Sequence, residues 1–106
     1  MDATPSVDVR DNPENRTYEA RVGESVVGAL VYEIEGPRVV LTHAWVEPSH
    51  RDTGVGHALA GGALDDLRAK GRSITVFCTF VAEFIDENPE YADLVDKEHP
   101  GTPRHV

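Results

Sequence analysis

The hydrophobic period of this chain changes at one place, and that change limits the folds open to it. Up to Val46 the apolar residues alternate, as half-buried strands do. In residues 56–70 they recur four apart, at Leu59, Ala63 and Leu67, with Asp65, Asp66, Arg68 and Lys70 on the outer side. That spacing is the apolar stripe of one amphipathic helix, and Gly71 stands where a left-handed cap would end it. Residues 74–78 then return to a short, apolar, β-branched strand. A strand, a helix and a strand at this spacing make a right-handed crossover, with the two strands parallel.

The segments before the change read as consecutive strands. Val7 and Val9 alternate with Asp8 until Asp11-Asn12-Pro13 turns the chain. Tyr18, Ala20 and Val22 alternate with Thr17, Glu19 and Arg21 up to the turn at Gly23-Glu24. Residues 25–34 form a longer run, with Val26, Gly28, Leu30, Tyr32 and Ile34 on one face and Val27, Ala29 and Val31 on the other. Gly36-Pro37 breaks that run, and residues 38–46 follow with Val39, Leu41, His43 and Trp45 sharing a face. Such short turns argue for an antiparallel meander. After residue 78, residues 80–86 read as a second helix, interrupted at Asn88-Pro89, with a helical turn over 90–95.

The predicted fold class is therefore α/β: a small mixed sheet, an antiparallel N-terminal meander leading into a parallel strand–helix–strand crossover, and helices packed on the sheet. One domain is expected over residues 1–106, with loose ends at about 1–6 and 97–106. In the second of these, Pro100, Gly101 and Pro103 oppose regular structure. Gly61-Gly62 inside the main helix costs roughly 1 kcal/mol per glycine against alanine, which close approach of the helix to the sheet or to a ligand would explain.

Charge narrows the partners. Nineteen acidic residues against 10 basic ones give a net charge of −9. A phosphate backbone is repelled by such a surface, so no nucleic-acid partner is expected. The balance serves solubility, or it favours a cationic partner such as an amine. No run approaches the roughly 18 apolar residues of a membrane span. The first residues are acidic and polar rather than signal-like, so no membrane association and a cytoplasmic location are expected. With one cysteine, Cys78, no internal disulfide or cysteine-rich zinc site can form. His50, His57, His99 and His105 lack ligand spacing, so no metal site is expected.

The segment richest in chemistry is His50-Arg51-Asp52-Thr53-Gly54-Val55-Gly56, between a strand end and a helix start. A helix start has unpaired N–H groups and the positive end of the dipole. Glycines at 54 and 56 let the backbone curl so that successive N–H groups point into one concavity, a ready pyrophosphate site with Arg51 at its mouth. The same glycines would also serve a tight strand-to-helix turn.

At these residues the chain resembles the GCN5-related N-acetyltransferase superfamily. Residues 51–56 fit its R/Q-x-x-G-x-G/A pyrophosphate loop, Val46-Glu47-Pro48 its strand-end V-x-P, and Ala58-Leu59 the start of its helix. His43 to Val46, the glycine loop, Cys78-Thr79-Phe80-Val81 and Asn88-Pro89-Glu90-Tyr91 are similar to the very short, single-domain members. The resemblance implies acetyl-coenzyme A in a wedge between splayed parallel strands. Its pyrophosphate would sit on the backbone of Arg51, Asp52, Thr53, Gly54, Val55 and Gly56, and its pantetheine arm would pair with backbone near Val46 and Glu47. Where that group has Thr-Glu, this chain has Ala44 and Trp45, which removes the glutamate general base. Phe84 stands where relatives carry a tyrosine after the last strand.

The expected function is acetyl-CoA-dependent N-acetyl transfer to a primary amine by direct attack on the thioester. The alternative is a non-catalytic or weakly catalytic module that binds coenzyme A or its acyl form. The acceptor would be a small-molecule or peptide amine, and the protein a monomer or homodimer. For catalysis, His43 is a candidate base, since an imidazole titrates near neutrality; it also suits a packed strand histidine. Glu47 can act through a water chain or be simply solvated. Cys78 ends a strand just before a helix and is a candidate nucleophile or cofactor contact. It shares its strand face with Ile74 and Val76, which suits a buried, inert thiol equally well. Tyr91 reads as an anchor for the last helical turn or as a distant proton donor.

Overall fold

The structure is a computed structural model that describes residues 7–50 and 54–101. Its strands are β1 (Asp8–Asn12), β2 (Thr17–Val22), β3 (Ser25–Glu35), β4 (Arg38–Val46) and β5 (Ser73–Val76). Its helices are α1 (Val55–Ala69) and α2 (Thr79–Glu87), with 3-10 turns at Pro48–His50 and Pro89–Leu94. The strands lie in one sheet in sequence order. β1 to β4 pair antiparallel, and β4 and β5 pair parallel, as the sequence implies.

One face of the sheet carries the core. Tyr18 and Ala20 of β2, Leu30 and Tyr32 of β3, Val39 and Leu41 of β4, and Ile74 and Val76 of β5 pack there against both helices. α1 contributes Val55, Leu59, Ala60, Ala63, Leu64 and Leu67, the expected stripe widened by one neighbouring row. Leu59 and Leu64 are fully buried, and each contributes about 1.5–3 kcal/mol through the apolar surface it removes from water. α1 ends as its sequence predicts. Gly71 has φ +68, the N–H of Arg72 reaches back to the carbonyl of Leu67, and that of Gly71 bonds Arg68. A Cβ on Gly62 would stand 2.8 Å from Cβ of Val9, so at this glycine the helix packs tightly on β1. A Cβ on Gly61 would meet the ring of Phe84 at 3.5 Å and the hydroxyl of Tyr91 at 4.0 Å, both ordinary contacts.

Two irregularities overturn the strand faces expected from alternation. Between β2 and β3 the register slips so that Val27 is the extra residue, and Val27 joins the core while Val26 is exposed. Between β3 and β4, Val31 pairs with His43 but Tyr32 pairs with Leu41, leaving Thr42 extra. A bulge of this kind flips every later side chain to the opposite face. His43 and Trp45 therefore do not share the face of Val39 and Leu41. They are exposed on the helix-free side, and Ala44 and Val46 pack toward the core instead.

The C-terminal segment also departs from expectation in its first part. Val95 bridges Ile74 in parallel, Asp96 N–H donates to Ile74, and Val76 N–H donates to the carbonyl of Pro100. The hydroxyl of Thr75 donates to the carbonyl of His99 at 2.6 Å. Residues 95–101 thus run as a strap along the outer edge of β5, supplying partners that the edge strand would otherwise lack. The expected loose ends at 1–6 and 102–106 lie outside the described residues.

Candidate active site

β4 and β5 stay together for only four residue pairs, from Arg38 with Ser73 to Leu41 with Val76. There the carbonyl of Leu41 accepts two bonds, from the N–H of Phe77 at 2.9 Å and of Cys78 at 3.2 Å. β5 then turns into α2, with Cys78 as its N-cap, while β4 runs on for five more residues beside β3. The two strands part, and a groove opens along the departing edge of β4. The N–H of Glu47 donates to Val27 in β3, so strand alternation turns the backbone groups of Ala44 and Val46 toward this groove.

The groove has two connected parts that share Ala44 and Phe80. The part toward α1, about 430 Å3, is lined by Ala44, Trp45, Val46, Gly54, Gly56, His57 and Phe80. The part toward β5, about 470 Å3, is lined by Thr42, His43, Ala44, Phe77, Cys78, Thr79 and Phe80. Both are therefore set by the strand separation, and the first leads onto the N-terminus of α1.

At that terminus Gly54 is the N-cap, with φ 86 and ψ 3, a left-handed conformation that favours glycine. Among the described residues no side chain caps the helix start, and a Cβ on Gly54 would meet none of their atoms within 4 Å. The first intrahelical bond there runs from Ala58 N–H to the carbonyl of Gly54. Helix geometry therefore leaves the N–H groups of Val55, Gly56 and His57 without an intrahelical acceptor. Gly56 serves a different need: a Cβ there would come within 2.9 Å of the Phe80 ring, which leans over the helix start.

The structure gathers some of the residues singled out from sequence and separates others. Val46, Gly54 and Gly56 line the groove. Val55 is fully buried in the core, so only its backbone is available there. Glu47 is exposed, outside the groove lining, and its N–H is engaged within the sheet. Arg51, Asp52 and Thr53 lie outside the described residues. His43 and Cys78 come together in the β5-side part. His43 is exposed there by the Thr42 bulge, whereas Cys78 is buried in the core cluster with Ile74 and Val76. Tyr91 stands away from the groove: its hydroxyl donates to Asp65 at 2.8 Å and its ring lies 5.7 Å from that of Phe84, anchoring the last turn to α1.

Sequence reading missed the aromatic lining. Phe77 and Phe80 flank Cys78 and are both exposed, as is Trp45. His57 packs its ring 6.2 Å from Phe80 and 5.8 Å from Phe84, with Nε2 3.7 Å from Glu87. Two phenylalanines around one strand end were the available signal. Among the described residues no three His, Cys, Asp or Glu side chains gather to hold a metal ion. No helix among them is long and apolar enough to cross a membrane.

Splayed parallel strands beside a glycine-capped helix start are the geometry that the sequence resemblance implies. The sequence model of the GCN5-related N-acetyltransferase family matches residues 17–94, from β2 to the last 3-10 turn. The chain belongs to the GCN5-related N-acetyltransferase family. It is 36% identical over 61 residues to Protein NATD1 of Bos taurus, a match that takes in 57% of this chain and 54% of that protein. The chain thus spans about half the length of the curated relative it matches. The fold is similar to the NMR solution structure of a GCN5-like protein from Staphylococcus aureus, with TM-score 0.59 and 11% identity over 97% of this chain and 93% of that one. In this GCN5-related domain, β1 to β5 with α1 and α2 make up the whole described sheet and its helical cover.

Proposed function

We propose that the chain transfers an acetyl group from acetyl-CoA to a primary amine by direct attack of the amine on the thioester. The observation that carries this reading is the groove that opens past Leu41 and Val76 and ends on the N-terminus of α1. The described residues fit the cofactor: among them the space over Gly54 is open, and no side chain caps the helix start, whose N–H donors suit a pyrophosphate. When bound, acetyl-CoA supplies the thioester carbon that is attacked and the thiolate that leaves.

The chain's own groups then have distinct tasks. The backbone of residues 51–56 and the Arg51 charge would hold the phosphates. Ala44 and Val46 would pair with the pantetheine arm through their groove-side backbone. His43 would take the proton from the incoming ammonium, being the titratable side chain that shares the β5-side part with Cys78. Cys78 would contact the sulfur end of the cofactor, since its side chain is buried in the core cluster with Ile74 and Val76.

The test is release of free thiol from acetyl-CoA when amines are added. The parent protein should release it with at least one primary amine, and Cys78→Ser should keep most of that turnover. If instead the parent gains an acetyl group at Cys78 in intact-mass measurement and discharges it on adding amine, the reaction runs through a covalent relay.

A second reading, an acyl-CoA-binding module with little turnover, is favoured by one observation. Among the described lining residues no carboxylate and no tyrosine faces the groove, and Phe84 is buried against Tyr91 and His57. Saturable acetyl-CoA binding with no thiol release across a panel of amines would select that reading.

A further inference from the structure

The helix-free face beside the groove carries three exposed groups. The Thr42 bulge turns His43 and Trp45 to that side of β4, and Phe77, just past β5, follows buried Val76 and by alternation faces the same side. Phe77 at 44% and Trp45 at 40% are among the most exposed large apolar side chains of the described chain. Leaving such area in water costs free energy, yet both line the one groove that the strand separation creates. Neither ring has a partner ring among the described aromatic pairs.

We propose that Trp45 is the acceptor platform, and that it selects amines carrying a second, charged ammonium group. The inference rests on the acetyl-transfer reading for the word acceptor; the cation site itself does not. Two observations choose a cation over a neutral aromatic guest. No lysine or arginine lines the groove among the described residues, while the chain as a whole carries −9. The field of such a surface concentrates cations. With no carboxylate in the lining, a cation reaching the groove is held through ring faces, and indole is the best of these. A diamine would then rest its charged end on Trp45 and extend its neutral end toward His43 and the strand separation. Trp45, which displaces the glutamate expected at this position, would thereby set specificity.

Trp45 is the chain's single tryptophan, so its fluorescence reports on this face alone. Choline is titrated into the protein against 3,3-dimethyl-1-butanol, its neutral counterpart of the same shape. Choline should give a saturable change at about tenfold lower concentration than the alcohol, the factor expected of a partly desolvated cation–π contact. The compound 1,4-diaminobutane should displace it. By calorimetry, Trp45→Phe should keep choline affinity within about threefold and Trp45→Ala should lose about tenfold. Equal affinity for choline and the alcohol, or no saturable change in the parent protein, overturns the platform without relying on any variant. Benzylamine and benzyl alcohol binding equally well, and both better than choline, would also overturn it. A separate titration with acetyl-CoA distinguishes the failures. Acetyl-CoA binding without choline binding removes the platform and leaves the transfer reading. Choline binding without acetyl-CoA binding keeps the cation site and removes the transfer reading.

Discussion

Gly61 and Gly62 are neighbours on α1 with opposite reasons to be glycine. Both should gain about 1 kcal/mol of helix propensity when replaced by alanine. At Gly61 the new methyl would meet Phe84 at 3.5 Å, an ordinary contact, so Gly61→Ala should stabilise by about 0.5–1 kcal/mol. At Gly62 it would press on Val9 at 2.8 Å, and overpacking of that kind costs about 1–3 kcal/mol. Gly62→Ala should therefore be neutral to about 2 kcal/mol destabilising, the difference of those two effects. Urea unfolding of the pair checks this; a gain at both positions would mean that α1 does not approach β1 as closely as described. The pair of glycines was visible in the sequence, but only the packing tells which one is spent on the approach. His43 makes the same point: alternation placed it with Val39 and Leu41, and one extra residue, Thr42, turned it to the other face. A bulge without glycine or proline leaves no mark in composition, so the faces beyond it were not legible.

At the scale of elements, a polar cluster fastens the N-terminal strands to the end of α1. The hydroxyl of Tyr18 donates to Asp66 and that of Tyr32 to Asp11, each at 2.6 Å. Lys70 bridges Asp66 at 2.7 Å and Asp11 at 3.2 Å. Burial, followed by the hydrogen bonds to these carboxylates, pushes both tyrosines well above their ordinary range. The Asp66 hydrogen bond raises Lys70 as well. For Asp66, burial acts upward, but the hydrogen bonds from Lys70 and Tyr18 prevail and lower it. The two signs give two limbs. Groups raised on folding contribute stability that is present below about pH 10 and lost as pH rises beyond it. Asp66, lowered on folding, contributes stability above about pH 4 that is lost as pH falls through its folded value. The contribution of this cluster to unfolding free energy should therefore be constant in between, and Tyr18→Phe should shallow the alkaline limb while lowering the plateau by about 0.5–1.5 kcal/mol. An alkaline limb unchanged in both Tyr18→Phe and Tyr32→Phe would contradict this.

The strap along β5 belongs to the same scale. Gly101 holds φ +90, and a Cβ there would lie 2.2 Å from the carbonyl oxygen of Val76. Gly101→Ala should cost about 1–3 kcal/mol, bounded because the strap can peel away instead of straining β5. Faster proteolysis after residue 95 would be its signature, and unchanged stability and cleavage would deny the docking. Proline and glycine made this segment read as loose. Its hydrogen bonds come from the β5 edge, which a local reading does not contain. The meander, the crossover and the Gly71 cap, by contrast, are local or periodic, and those were legible.

For the whole molecule, the sheet, the groove and the charge balance converge on one region. The short β4–β5 pairing opens the groove, α1 begins at its mouth, and the helix-free face beside it presents His43, Trp45 and Phe77. The start of α1 at Gly54 was legible because the hydrophobic period changes there and glycines stand at the turn. The aromatic wall was not, because Trp45 of β4 and the phenylalanines that follow β5 come to one groove only in space. The central claim is that acetyl-CoA binds along this groove with its pyrophosphate at Gly54, and isothermal calorimetry tests it most directly. Acetyl-CoA titrated into the parent protein should bind saturably. Gly54→Val, with its helical circular dichroism retained, should lose at least about tenfold in affinity, because a branched side chain disfavours the left-handed cap and fills the open space above it. Equal affinity in parent and variant, or no binding to the parent at all, would contradict the account.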